Sequence, residues 1–120
     1  MYNSFSQSIK VSPSQTAESL GSGLLPVFST PAMIALMENT AMGCMTNIPD
    51  GSSSVGIEIN VKHLKASLVG AMVNCKAIVT AIEGRKYSFQ LEVTDEEQNL
   101  VGEGTHQRVL IDVEKFMSKL

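Results

Sequence analysis

Polar and apolar residues alternate with a period of two along most of this chain, as expected of strands with one covered face. Between Phe5 and Ser12, the residues Phe5, Gln7, Ile9 and Val11 alternate with polar neighbours and predict a short strand in which Gln7 is the weak position. Val55, Ile57, Ile59 and Val61 alternate with Gly56, Glu58, Asn60 and Lys62, and the same period carries His63 onto the apolar face. Ala71 to Ile82 and Lys86 to Thr94 predict two more strands, joined by a tight hairpin at Glu83-Gly84-Arg85. Asp95 to Asn99 reads as a turn, Leu100 to Ile111 as a last strand, and Asp112 as the cap of a short helix from Val113 to Leu120.

One segment breaks the alternation. Thr30 is a good helix N-cap and Pro31 suits the first helical turn, so a helix is predicted from Pro31 to about Asn47. Its Ala, Met, Ile, Leu and Cys residues fall on every side, which predicts burial all round, and Glu38 is its only charge. Pro49-Asp50-Gly51-Ser52 closes it as a turn. Ahead of the helix, Ser12 to Ser29 reads as a loop with one helical turn near Thr16 to Leu20. Its apolar tip, Leu24 to Phe28, is either a lid over a pocket or core filling. One long helix among mostly antiparallel strands is an α+β arrangement with the helix on one sheet face.

A chain of 120 residues, 43% hydrophobic, is one domain spanning 1–120. At this length a chain buries roughly two thirds of its unfolded surface and needs neither metal nor disulfide to hold a core. Cys44 and Cys75 therefore read as reduced, intracellular residues, and without C-x-x-C or H-x-x-x-H spacing a structural zinc is not expected. With 9 basic against 12 acidic side chains and a net charge of −3, no nucleic-acid partner is expected. No apolar run is long enough to span a bilayer, and Met1 to Lys10 lacks the features of a leader, which points to the cytoplasm. The charge is uneven: residues 1–50 carry only Lys10, Glu18, Glu38 and Asp50, leaving 17 of the 21 charges to residues 51–120. The first half must be largely buried, or must cover something.

Chemistry is first suggested by Glu38 and His63. A carboxylate alone on an apolar helix carries a large desolvation cost unless it is paired or protonated. His63 shares the strand face that should meet that helix, so the two are expected to line one cavity, an arrangement suited to general acid or base work. Each alone also reads as a satisfied polar group at an element end. Thr30 reads most simply as the N-cap, yet a helix N-terminus also offers N–H groups to an oxyanion. Eight residues separate Thr30 from Glu38, about 12 Å of helix rise, so a shared site requires a second chain or a bridging substrate. Gly102 and Gly104 suggest a bulge or close backbone approach rather than a nucleotide loop. His106 and Arg108 alternate with them, at an exposed edge or in rim contact with a phosphate. The seven methionines read as adaptable core, and Asp95-Glu96-Glu97 as a solvated turn rather than a metal site.

Three stretches together carry a resemblance. Leu25 to Met33 leading into Leu36-Met37-Glu38, Ser54 to His63, and Gly102 to Arg108 are similar to the fluoroacetyl-CoA thioesterase-like branch of the hotdog superfamily. The hairpin at Glu83 to Arg85 and the ending Glu114-Lys115-Phe116 fit the same family, so the likeness covers nearly the whole chain. It implies a hotdog fold, with a curved antiparallel sheet wrapped around the long helix, and a homodimer or dimer of dimers joined sheet edge to sheet edge. It also implies hydrolysis of acyl-CoA thioesters at the subunit interface, with no cofactor. Thr30, Glu38 and His63 match the family's catalytic residues, and Gly56 its post-helix strand glycine. Substrate contacts are expected from Gly56, Phe28 and Arg108. The segment Glu18 to Phe28 is shorter than the aromatic-rich lid of the fluoroacetyl-specific members and holds one aromatic, which points to a small acyl group without fluorine selectivity.

These readings converge on an acyl-CoA thioesterase, with water attack and a covalent acyl-enzyme both open. A non-catalytic acyl-CoA binder is the alternative from another class, and a dehydratase or isomerase acting on an acyl thioester is a third.

Overall fold

The computed structural model describes residues 3–120. In chain order it contains β1 (Ser4–Lys10), α1 (Ala17–Leu20), α2 (Thr30–Gly43), β2 (Ser52–His63), β3 (Met72–Glu83), β4 (Lys86–Asp95), β5 (Leu100–Asp112) and α3 (Val113–Ser118). The five strands form one antiparallel sheet in the order β1-β3-β4-β5-β2, which leaves β1 and β2 as its edges. Helix α2 lies across one face and buries Ala32, Met33, Leu36, Met37, Thr40 and Ala41 there. Opposite them lie Val73, Cys75, Ala77 and Val79 of β3 and Phe89, Leu91 and Val93 of β4. They alternate with outward-facing residues, polar except for Ile78, as the period of two predicts.

The hairpin forms as expected. Glu83 pairs with Lys86 across a two-residue loop whose first residue, Gly84, has φ 65°, the conformation a primed hairpin turn requires there. Between β4 and β5 the Asp95 carboxylate accepts from the N–H groups of Glu97 and Asn99 and pairs with Lys65. The Asp112 carboxylate caps α3 by accepting from the Lys115 N–H.

Three expectations change. Helix α2 ends at Gly43 instead of near Asn47. The Asn3 amide donates to the Cys44 carbonyl and the Thr46 hydroxyl, giving the chain a partner outside the helix, and Asn47 adopts φ 60°, a left-handed conformation that asparagine tolerates. Nor is α2 buried all round, since Pro31, Ala35, Asn39 and Met42 form an exposed stripe in the single chain. In the loop before α2, a 3-10 turn at Pro13–Gln15 precedes α1, and short bridges join Thr16 to Phe28 and Val27 to Leu68. These pin Phe28 inside the core while Leu24 and Leu25 stay exposed, so the apolar tip splits between core and surface.

Strand β2 departs most from its pattern. Its pairing with β5 runs Gly56 to Arg108 and then Glu58 to Gln107, so Ile57 is an extra residue in a β-bulge. The bulge reverses side-chain parity: Ile59 and Val61 pack on the core, whereas Ile57, expected beside them, is exposed.

Gly104 faces Val61 across the β2–β5 ladder, and a Cβ there would collide with the Asn60 carbonyl and sit 2.8 Å from Val61 Cα. This is the close backbone approach expected at that position, and the obstacle is main chain that cannot rotate away. Gly104→Ala should therefore destabilise the fold by about 1–3 kcal/mol, read as a fall in Tm of roughly 5–15 °C with the far-ultraviolet circular dichroism spectrum retained.

Candidate active site

Two groups of polar side chains lie on the sheet face that α2 covers. The first forms where α2 begins. Ser29, buried, is the N-cap: its hydroxyl accepts from the Ala32 N–H at 3.1 Å and its carbonyl from the Met33 N–H at 3.0 Å. Thr30, expected to cap, is instead the first helical residue, and its hydroxyl is left for other chemistry. The helix N-terminus is correspondingly less open to an oxyanion than its position suggests, because those two N–H groups are engaged and Pro31 has none.

The Thr30 Oγ1 lies 2.8 Å from His63 Nδ1. His63 ends β2, opposite Gly102 of β5, and Phe28 meets its ring edge-on with centroids 6.2 Å apart. Burial pushes the imidazole pKa below its ordinary 6.5, partly offset by the nearby Lys65 backbone, so the ring is neutral at pH 7. Its Nε2 is buried and has no hydrogen-bond partner among the described residues. A cavity of about 320 Å³ lies here, lined among others by Phe28, Thr30, His63 and Lys65. A hydroxyl held against a neutral imidazole is the arrangement by which a histidine draws a proton from an alcohol.

The second group surrounds Glu38. Its carboxylate accepts from Arg108 Nη1 at 3.1 Å. Arg108, expected at an exposed edge or in rim contact with a phosphate, is only 5% exposed, with Nε donating to Ser54 Oγ at 2.8 Å and Nη2 to the Ser54 carbonyl at 3.1 Å. Gly56, directly across from Arg108 on β2, makes the approach of the carboxylate feasible: a Cβ there would stand 2.7 Å from Glu38 Oε2. Glu38, Gly56, Ile57, Glu58, Ile59 and His106 line a separate cavity of about 190 Å³. The expected pairing of Glu38 with His63 is thus absent within one chain. Glu38 is paired with Arg108, His63 with Thr30, and the two line different cavities, because the bulge and the helix rise separate them along β2 and α2.

Of the remaining candidates, Cys44 and Cys75 are free and buried. Burial pushes the Cys75 thiol up to about 11, the Thr40 hydroxyl only partly opposing it, and raises Cys44 as well. Neither is a nucleophile at neutral pH. Among the described residues no three His, Cys, Asp or Glu side chains converge on a point that could hold a metal, and no helix is long and apolar enough to cross a membrane. Sequence reasoning missed Ser54, one serine in a run of three, and it placed His106 no more closely than an edge or rim; both belong to the Glu38 group.

Comparison with known proteins identifies the family and the fold. Residues 11–114 match the profile of the fluoroacetyl-CoA-specific thioesterase family. The fluoroacetyl-CoA thioesterase of Streptantibioticus cattleyicolor is 35% identical over 95 residues, 78% of this chain and 68% of that protein. A solved structure of the fluoroacetyl-CoA thioesterase FlK superposes with a TM-score of 0.92 at 30% identity, covering 99% of this chain and 93% of FlK. An FlK variant crystallised with acetyl-CoA gives 0.92 at 29% identity, covering 99% and 95%. A thioesterase superfamily member from Thermus thermophilus shares the fold alone, with a TM-score of 0.89 at 24% identity over 98% of this chain and 88% of that one. The architecture is therefore the hotdog fold, an α+β arrangement whose sheet is not closed into a barrel. With most of its length matched to that profile, the chain belongs to the fluoroacetyl-CoA-specific thioesterase family.

Proposed function

We propose that Thr30, His63 and Glu38 hydrolyse small acyl-CoA thioesters at a site completed by a second copy of the chain. Thioester hydrolysis is the activity of the family, and the protein is an acyl-CoA thioesterase. The observation that carries the assignment of residues is the 2.8 Å contact between Thr30 Oγ1 and His63 Nδ1. In this reading His63 takes the hydroxyl proton as Thr30 Oγ1 attacks the thioester carbonyl, and the same proton passes to the departing CoA sulfur. Water then attacks the acyl-Thr30 ester as it gives a proton to a Glu38 carboxylate, and the Thr30 oxygen leaves on taking that proton back through His63, which frees the acid and restores all three residues. Gly56 and Phe28 border the acyl group, and Arg108 acts on it through Glu38.

The need for a second copy follows from the separation of the two groups. Strand β2 is an edge, and Ile57, Met42, Leu24 and Leu25 are apolar side chains left exposed by the single chain. Antiparallel pairing of β2 with its twin about an axis between Ile59 and Asn60 would set His63 opposite Gly56. That brings the partner subunit's Glu38 toward Thr30 and His63. The expected assembly is a homodimer, or a dimer of dimers, and light scattering at micromolar concentration checks it. A stable monomer removes this site.

Activity separates the roles further. His63→Ala and Glu38→Gln should each lower kcat/KM on acetyl-CoA by about 10²-fold or more while the dimer stays folded. Because Ser29 caps the helix, Ser29→Ala should cost about 1 kcal/mol of stability, seen in the melting curve. Thr30→Ala should leave Tm nearly unchanged and suppress turnover, whereas Thr30→Ser keeps a hydroxyl and should retain much of it. The acyl preference is expected among short chains, with acetyl-CoA hydrolysed about as well as fluoroacetyl-CoA. Binding without hydrolysis across a panel of CoA esters would identify a carrier rather than an enzyme.

A further inference from the structure

We infer that His106 is a positioning residue: a neutral imidazole whose Nε2 lone pair holds Arg108 in the orientation that presents it to Glu38. The inference deepens the reading above and rests on Glu38 being part of the catalytic site. His106 is 1% exposed, on β5 two residues before Arg108 and on the same face. Its Nε2 is 3.2 Å from Arg108 Nη1 and its Nδ1 is 2.6 Å from the Glu58 carbonyl oxygen.

These two contacts determine the tautomer. A guanidinium has five N–H donors and no acceptor, so the ring nitrogen facing Nη1 must supply a lone pair. A carbonyl oxygen only accepts, so Nδ1 must carry the hydrogen. Protonation at Nε2 would replace that lone pair with an N–H aimed at Nη1, losing the bond and setting cation against cation. The ring is hemmed in from each neighbouring element: Arg108 on its own strand, the Glu38 carboxylate on α2, the Glu58 carbonyl on β2, and Phe89 of β4 stacked at 5.8 Å with planes 29° apart. The Glu58 side chain belongs to the lining of the same cavity. Burial and the Arg108 charge hold the ring pKa below 6.5 against the opposing effects of the Glu58 carbonyl and Glu38.

Arg108 is thereby clamped on four of its five N–H groups, by Ser54 twice, by His106 and by Glu38. The two hydrogens of Nη1 serve His106 and Glu38, so loss of the histidine lone pair frees the very atom that orients the carboxylate. Glu58 follows the bulge, and the Nδ1 bond ties that irregular backbone to the same assembly.

The test combines ring ¹⁵N NMR with kcat and KM on acetyl-CoA between pH 5 and 9, for wild type, His106→Leu and His106→Gln. At pH 7.5 the His106 ring should carry its hydrogen on Nδ1. His106→Leu, which lacks an acceptor, should lower kcat about tenfold with KM changed less than twofold. His106→Gln, whose Oε1 can take the Nη1 hydrogen, should recover to within about threefold of wild type. The wild-type rate should fall steeply below pH 6.5 as both His63 and His106 take protons, and His106→Gln should show the shallower fall of His63 alone. A hydrogen on Nε2, equal losses in the two variants, undiminished turnover in His106→Leu, or an unaltered acid limb in His106→Gln would each overturn the inference. Should His106→Leu fail to fold, the glutamine variant and the tautomer decide. Wild-type protein that hydrolyses no acyl-CoA would defeat the thioesterase reading instead, and the tautomer would still decide the hydrogen-bond assignment.

Discussion

A single extra residue in β2 governs how the polar side chains are arranged. Cross-strand partners share a face, so the inward residues of β5, Gly102, Gly104, His106 and Arg108, dictate which residues of β2 point inward with them. Opposite Arg108 stands Gly56, and opposite His106 stands Ile59, a step of three along β2 against two along β5. Without the bulge, either His63 or Gly56 could face the helix, but never both, because an odd and an even position cannot share a face of a regular strand. With it, His63 reaches Thr30 at one end of β2 while Gly56 admits Glu38 nearer the other.

The Arg108 cluster shows how a buried cation is accommodated. An unpaired guanidinium at this depth would be strongly destabilising, and its desolvation is offset only when most donors find partners of good geometry. Here a backbone carbonyl, a hydroxyl, an imidazole and a carboxylate share the load. Glu38 is the most exposed member, its side chain 40% accessible in the single chain. A carboxylate anchored from behind and open in front is oriented without being consumed by its ion pair, which suits the role proposed for it.

Helix α2 serves both groups through its two ends and two faces. Its first turn delivers Thr30, freed by the Ser29 cap, and its third turn delivers Glu38. Met33, Leu36 and Met37 anchor it to the sheet, and the opposite stripe of Pro31, Ala35, Asn39 and Met42 remains uncovered. That stripe borders β1, where the Gln7 amide donates to the Asn39 side chain.

The sequence by itself determined the elements that rest on local physics. Period-two runs located all five strands, Gly84 and Asp112 marked a turn and a cap through their own backbone and side-chain preferences, and an apolar stretch opened by Pro31 located the long helix. Thr30, Glu38, His63 and Arg108 were singled out by their chemistry or context, and Gly56 by the family resemblance. What they touch was decided only in three dimensions. The bulge at Ile57 has no periodic signature, so the parity of β2 was misassigned on its N-terminal side. Ser29 and Thr30 are equally good caps in isolation, and the path of the preceding loop, pinned by Gln15 and Ser67, selected Ser29. Glu38 and His63 were the natural pair by charge, yet Arg108, far away in sequence, lies across the ladder from Gly56 and reaches the carboxylate first. A buried charge reveals in sequence that it needs a partner; which partner it finds depends on strand register, a property of paired chains that no single segment contains.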